Sequence, residues 1–149
     1  MKIKDYIFEE YIDFEIINES WNIYALEDKS VLKFKLLLLK VIPIPTTDAT
    51  VDTTADYALN TRIVFASLVP KELKGTPSTP NQPNVQSNIE IEQKDIPFKI
   101  IEESWNEYKL ENGTILKVKP AITRIDRLKI YDKYGEPQYS IMNQILIKV

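Results

Sequence analysis

Histidine and cysteine are both absent from this chain of 149 residues, and glycine occurs only three times. Without cysteine there is no disulfide framework, no thiolate nucleophile and no Cys-ligated zinc. Without histidine there is no imidazole base, no Ser-His-Asp arrangement and no His-bearing metal site. The three glycines, Gly75, Gly113 and Gly135, are too scattered to build a phosphate-cradling loop. No cofactor or metal is therefore expected. Catalysis would have to rest on carboxylates, Lys, Tyr, Ser/Thr or a supplied cofactor, so the expectation leans away from an enzyme.

Excess positive charge is missing as well. The chain carries 19 Lys+Arg against 22 Asp+Glu, a net charge of −3, whereas wrapping a polyanion requires clustered cations. The most apolar run, Leu36 to Leu39 between Lys35 and Lys40, falls far short of the roughly 20 residues that a membrane helix needs. Met1 is followed by Lys2, Lys4, Glu9 and Glu10 rather than by the apolar core of a secretory leader. The expected location is cytoplasmic, with no membrane partner.

What the chain does have is a repeat. Residues 14–35 align without a gap on residues 98–119, an offset of 84, with 13 of 22 positions identical. Among the identical pairs are Glu19/Glu103, Ser20/Ser104, Trp21/Trp105, Asn22/Asn106, Tyr24/Tyr108, Lys33/Lys117 and Lys35/Lys119. The match resumes at an offset of 82, where Tyr57 and Ile63 correspond to Tyr139 and Ile145. Between the copies, Gly75 to Asn84 is a run of Pro and small polar residues, which forms neither helix nor central strand. The chain divides into unit one at 1–74, a Pro-rich linker at 75–88 and unit two at 89–149, two copies too small to be comfortably stable unless they pack together.

Alternation of apolar and polar residues, with Val, Ile, Tyr, Phe and Thr prominent, gives an all-β reading with little or no helix. The expected architecture is two tandem pseudo-symmetric small β-barrel or meander units arising from an internal duplication. Residues 2–12 admit helix or strand, and extended structure is favoured there because the counterpart Ile89-Glu90-Ile91-Glu92 alternates.

The turn Leu110-Glu111-Asn112-Gly113-Thr114 fixes a hairpin register. A two-residue loop would bring Glu107 and Lys109 onto the apolar face with Leu116 and Val118; a three-residue loop with Gly113 left-handed pairs Tyr108 with Leu116 and Asn106 with Val118 inside, and Glu107 with Lys117 outside. The second is chemically consistent. In unit one it pairs Tyr24 with Leu32, Asn22 with Phe34 and Ile23 with Lys33, and places Lys29 at the left-handed position at a cost of about 1 kcal/mol. The outer face of unit one, with Ile23, Ala25 and Val31, calls for a cover: the N-terminal segment, unit two or a second copy of the chain.

The candidate ligand or partner surface comprises Trp21, Lys33, Lys35, Trp105, Lys117 and Lys119. An outward indole beside a cross-strand ammonium can stack a base or sugar, and alternating lysines can meet phosphates. Structural roles are favoured for both: the indole as a cover with Lys capping it, the lysines as solvent-facing and edge-protecting charges. Asp48, Asp52 and Asp56 lack the spacing of a calcium loop, and Glu27 and Glu111 sit at turns, where polar residues are expected anyway. The stretch from Trp105 to Lys119, followed by Tyr131-Asp132-Lys133-Tyr134-Gly135-Glu136-Pro137-Gln138-Tyr139, resembles small uncharacterised prokaryotic β-barrel proteins of unknown function. The resemblance implies a small barrel and no activity. The expected role is a binding or assembly module with a protein partner or self-association; the alternative is a weak nucleic-acid or carbohydrate binder using the two tryptophans and the lysines.

Overall fold

In a computed structural model, the protein is described over residues 11–44, 57–78 and 89–149. The acidic stretch with Asp48, Asp52 and Asp56, most of the segment 2–12 and the linker beyond Ser78 lie outside these residues.

The described residues form nine strands, a 3-10 turn at Lys71–Leu73 and no α-helix. The strands are β1 (Phe14–Asn18), β2 (Asn22–Leu26), β3 (Val31–Pro43), β4 (Tyr57–Leu68), β5 (Ile91–Gln93), β6 (Phe98–Glu102), β7 (Asn106–Leu110), β8 (Ile115–Tyr131) and β9 (Pro137–Lys148). They make two antiparallel sheets. One runs β4-β3-β2-β6; the other runs β1-β7-β8-β5, with β9 on the free side of β8. The all-β expectation holds; of the barrel or meander units expected, no closed barrel forms among the described residues, and the strands make two open sheets.

Both hairpin registers are as read from the sequence. Tyr24 pairs with Leu32, Asn22 with Phe34 and Ile23 with Lys33; Tyr108 pairs with Leu116, Asn106 with Val118 and Glu107 with Lys117. Each loop closes with three residues, through Leu26 N–H to Ser30 O at 2.9 Å and Leu110 N–H to Thr114 O at 2.8 Å. Gly113 has φ +89° and Lys29 has φ +74°, so the lysine occupies the conformation that its counterpart fills with glycine.

The sequence did not reveal how the sheets are composed. Only residues 19–21 separate β1 from β2, yet the two strands do not pair. No residue of that connection has positive φ, which the tight hairpin turns require, so the chain crosses between sheets instead of folding back. β1 pairs with β7, Phe14 opposite Leu110 and Asn18 opposite Glu107 after a bulge. β6 pairs with β2, Phe98 opposite Leu26 and Glu102 opposite Ile23 after a bulge at the same place. Each half of the chain therefore lends the strand just ahead of its own hairpin, β1 or β6, to the other half's hairpin, while β5 stays with β8 of its own half. The long ladders correspond too: β3 with β4 skips Leu39, and β8 with β9 skips Thr123, 84 residues later.

Two apolar clusters fill the space between the sheets, and each mixes both halves. Leu36, Leu38 and Val41 of β3 pack with Tyr108, Leu110, Leu116 and Val118. Tyr24, Leu26, Leu32 and Phe34 pack with Ile96 and Ile125. Each of these fully buried side chains contributes on the order of 1.5–3 kcal/mol. The strands are long enough that their first halves pair locally while their second halves roof the opposite cluster. The start of the linker is bonded rather than free: Gly75 N–H donates to Gly135 O at 2.8 Å and Ser78 N–H to Asp132 O at 3.0 Å, on the turn between β8 and β9.

Candidate functional site

The six candidate residues separate into two groups, one on each sheet. Trp21 enters β2, with Lys33 and Lys35 alternating along the neighbouring β3; Trp105 enters β7, with Lys117 and Lys119 along β8. The four lysines thus form no single strip. Both tryptophans sit just outside their hairpin ladders. The Lys33 Nζ lies 4.5 Å from the centroid of Trp21, nearer than Lys35 at 5.7 Å, and Lys119 lies 4.9 Å from that of Trp105. Trp21 is 37% exposed and Trp105 is half-buried.

Three of the four lysines are matched by carboxylates. Lys119 Nζ lies 3.0 Å from Glu103, Lys117 lies 3.5 Å from Glu107, and Lys35 lies 3.9 Å from Glu19. Glu19 and Glu103 stand on the two crossing segments, and each reaches a tyrosine of the other half. Tyr108 donates its hydroxyl to Glu19 at 2.8 Å, and Tyr24 donates to Glu103. Burial, reinforced by the facing carboxylate, pushes both phenols well above their ordinary range. Burial opposes ionisation of Glu103, but bonds from Tyr24 and Lys119 outweigh it and hold the carboxyl below its ordinary value.

The same segments are joined at their backbone. Ser20 N–H donates to Asn106 Oδ1 at 3.3 Å, and Ser104 N–H donates to Asn22 Oδ1 at 2.9 Å. Both asparagines are 1% exposed. Asn106 Nδ2 donates to Leu36 O at 2.9 Å and to the Tyr108 hydroxyl at 3.0 Å, while Asn22 Nδ2 has no hydrogen-bond partner among the described residues. The repeated Glu-Ser-Trp-Asn sequence, with the tyrosine two residues beyond, is therefore a reciprocal lock at the places where the chain crosses between sheets. Its polar groups are largely committed to one another.

A second polar cluster escaped sequence reading. Asp28, in the turn between β2 and β3, accepts from Ser30 N–H at 2.9 Å and from the Ser30 hydroxyl, and across the halves from Arg127 at 2.9 Å and Tyr139 at 2.8 Å. Burial works to raise its pKa, but these donors prevail and lower it. The corresponding turn in the other half has Asn112 at this place, donating to the Tyr57 hydroxyl at 3.0 Å. The signal was present in the aligned Asp28/Asn112 and Tyr57/Tyr139 positions, but their partnership spans 111 residues for Asp28 and 55 for Asn112.

Two shallow clefts accompany these clusters. One of about 280 Å³ is bordered by Asp13, Phe14, Glu15, Lys109, Leu110 and Glu111; one of about 190 Å³ by Leu32, Phe65, Ser67, Tyr139 and Ile141. Among the described residues no group of three or more acidic side chains is arranged to hold a metal ion, and no helix is long and apolar enough to cross a membrane. Ile23, Ala25 and Val31, expected to need a cover, are half-buried. Many of the exposed apolar side chains lie on edge strands, Ile16 and Ile17 on β1, Ile100 and Ile101 on β6, Phe65 and Leu68 on β4, and Met142, Leu146 and Ile147 on β9, while Leu39 on β3 and Ile115 on β8 are exposed on inner strands. No family model, no curated protein and no solved structure matches the chain.

Proposed function

We propose that the protein is a non-enzymatic assembly module that associates with further copies of itself by adding strands to its open sheet edges. The observation that carries this reading is the pair of long edge strands β4 and β9, twelve residues each, which among the described residues pair on one side only. Natural edges are normally blunted with charge, proline or shortness. Here Ile63–Leu68 carries no charge, nor does Ser140–Ile147, and neither stretch contains proline. Such a rim offers main-chain donors and acceptors together with apolar side chains, the combination used in strand addition. The two halves are read as an internal duplication with pseudo-two-fold symmetry, supported by the repeated sequence and by ladders that recur at the same offset. Units 1–74 and 89–149 then supply equivalent edges, one on each sheet.

Binding of nucleic acid or carbohydrate through Trp21 and Trp105 has less support. Glutamates neutralise Lys35, Lys117 and Lys119, which leaves little net attraction for phosphate.

Sedimentation velocity across a concentration series tests the assembly reading. The wild type should shift from monomer to larger species as concentration rises. The double variant Ala66→Glu/Met142→Glu puts an acid on each edge, opposite Lys33 and Arg124 in the neighbouring strands, and should stay monomeric with an unchanged circular dichroism spectrum. A wild type that remains monomeric into the high micromolar range would overturn the proposal.

A further inference from the structure

Resting on that assembly reading, we infer that the primary contact is a two-fold dimer in which β9 pairs antiparallel with β9 of a second copy, centred on Asn143. Hydrogen-bond direction along the sheet leads to this register. Leu110 N–H donates to Thr114 O, so the pairs Tyr108/Leu116 and Asn106/Val118 exchange bonds, and β8 turns Leu116 and Val118 toward β7. Lys117, Lys119 and Ala121 consequently turn toward β9, where they meet Lys148, Leu146 and Gln144. Pro120, which has no N–H, sits opposite Ile145 and fits this phase. Beyond the bulge at Thr123 the phase on β9 is kept: the Thr123 hydroxyl donates to Met142 O at 3.2 Å, while Ile125 O faces away and accepts from Ile96 N–H at 2.7 Å.

Even-numbered residues of β9 thus bond to β8, and the odd-numbered ones, Tyr139, Ile141, Asn143, Ile145 and Ile147, direct their backbone groups outward. In an antiparallel pair, opposing residues must both face one another or both face away. Odd residues therefore have to meet odd residues, and a two-fold on Asn143 is the register that matches all five: Tyr139 with Ile147, Ile141 with Ile145, and Asn143 with its own copy. Five exchanging pairs give about ten hydrogen bonds. On the other face Met142 meets Gln144 and Ser140 meets Leu146, and no like charges oppose each other anywhere in the overlap.

The other edges fit this less well. β4 carries Arg62 beside its own centre of symmetry, and β1, β5 and β6 are short and charged, with Glu15, Glu92, Lys99 and Glu102. A second copy satisfies the β9 rim without any charge-selected partner.

Because the chain has no cysteine, single-cysteine variants report the register cleanly. Asn143→Cys should form a disulfide-linked dimer under mild oxidation, since Cα atoms of an exchanging pair lie about 5.5 Å apart, within the span of a disulfide. Thr61→Cys, at the corresponding place on β4, should not. Met142→Glu alone should raise the dimer dissociation constant at least about tenfold, or about 1.4 kcal/mol. If Thr61→Cys links and Met142→Glu still self-associates, the β9 contact is wrong while the assembly reading survives. If both single-cysteine variants link, so that the β4 edges pair as well as the β9 edges, the closed two-fold pair is overturned. A wild type that stays monomeric, with neither cysteine linking, overturns both.

Discussion

The Ser104 backbone N–H donates to the side-chain oxygen of Asn22 at 2.9 Å, and through this bond the second half of the chain is anchored to a fully buried residue of the first. The counterpart bond runs from Ser20 to Asn106. Crossing segments with no regular strand partner must place their backbone groups somewhere, and a buried amide oxygen at each crossing meets that need.

The two asparagines should nevertheless differ in importance. Asn106→Ala removes the acceptor for Ser20 and both donor contacts of Nδ2, leaving Leu36 O buried without that bond. Asn22→Ala removes an acceptor but no donor contact. We expect losses of about 3 kcal/mol for Asn106→Ala and about 1–2 kcal/mol for Asn22→Ala. Urea unfolding followed by tryptophan emission measures both, and equal losses would show that Asn22 Nδ2 is bonded in solution.

Acid stability should depend on Asp28. Its carboxyl lies below the ordinary value of 3.8 in the folded protein, so its contribution is fully present above that value and is lost as pH falls through the lower folded-state pKa. Asp28→Asn should cost about 3 kcal/mol at pH 7, because Arg127 loses its buried partner. It should also flatten the acid limb below pH about 4, although Asp126 and Glu103, both lowered too, preserve part of it. Circular dichroism between pH 5 and pH 2 tests this; an acid midpoint that does not move would exclude Asp28 as a contributor.

Local chemistry was legible in the sequence, and long-range partnership was not. Asn112-Gly113 and the need to keep Glu107 and Lys109 off the apolar face were enough to fix both hairpin registers, because turn geometry and alternation act within a few residues. The alternation of Lys33, Lys35, Lys117 and Lys119 was equally visible. The neutralisation of Lys35 and Lys119 was not, since Glu19 and Glu103 belong to connections whose conformation depends on the strand exchange. The barrel expectation failed for a related reason. β3 and β8 run to 13 and 17 residues, well past their hairpins, and the surplus length roofs the opposite cluster instead of closing a small barrel.

Backbone conformation at the turns gives a graded series. Lys29 holds φ +74° without glycine's freedom, so Lys29→Gly should stabilise the protein by about 1 kcal/mol. A Cβ at Gly113 would meet nothing within 4 Å, and Gly113→Ala should cost only the conformational term of about 1 kcal/mol. A Cβ at Gly135 would come within 2.7 Å of Gly75 O on top of a φ of +82°, so Gly135→Ala should cost clearly more and loosen the linker's attachment. Melting temperatures should rank Lys29→Gly, wild type, Gly113→Ala and Gly135→Ala from highest to lowest, and a Gly135→Ala protein as stable as Gly113→Ala would show that the Gly75 contact does not persist.

Alkaline stability should rest on the buried phenols. Burial above all, with the Asp28 carboxylate adding to it, pushes Tyr139 up to about 12 from an ordinary value of 10.0, and Tyr24 and Tyr108 lie higher still. A raised folded-state pKa means that the stabilisation is fully present below pH about 10 and is lost as pH climbs through about 12, because the unfolded chain releases the proton first. Tyr139→Phe keeps the apolar ring but removes its bonds to Asp28 and Ser30, so it should cost about 1–2 kcal/mol at pH 7. It should also lose less stability than the wild type between pH 9 and pH 11, since the proton it would have released is gone. Urea midpoints at pH 7, 9, 10 and 11 separate the two effects. Parallel decline of the two proteins across the alkaline series would mean that Tyr139 ionises at its ordinary value, and hence that the Asp28 cluster is open to solvent.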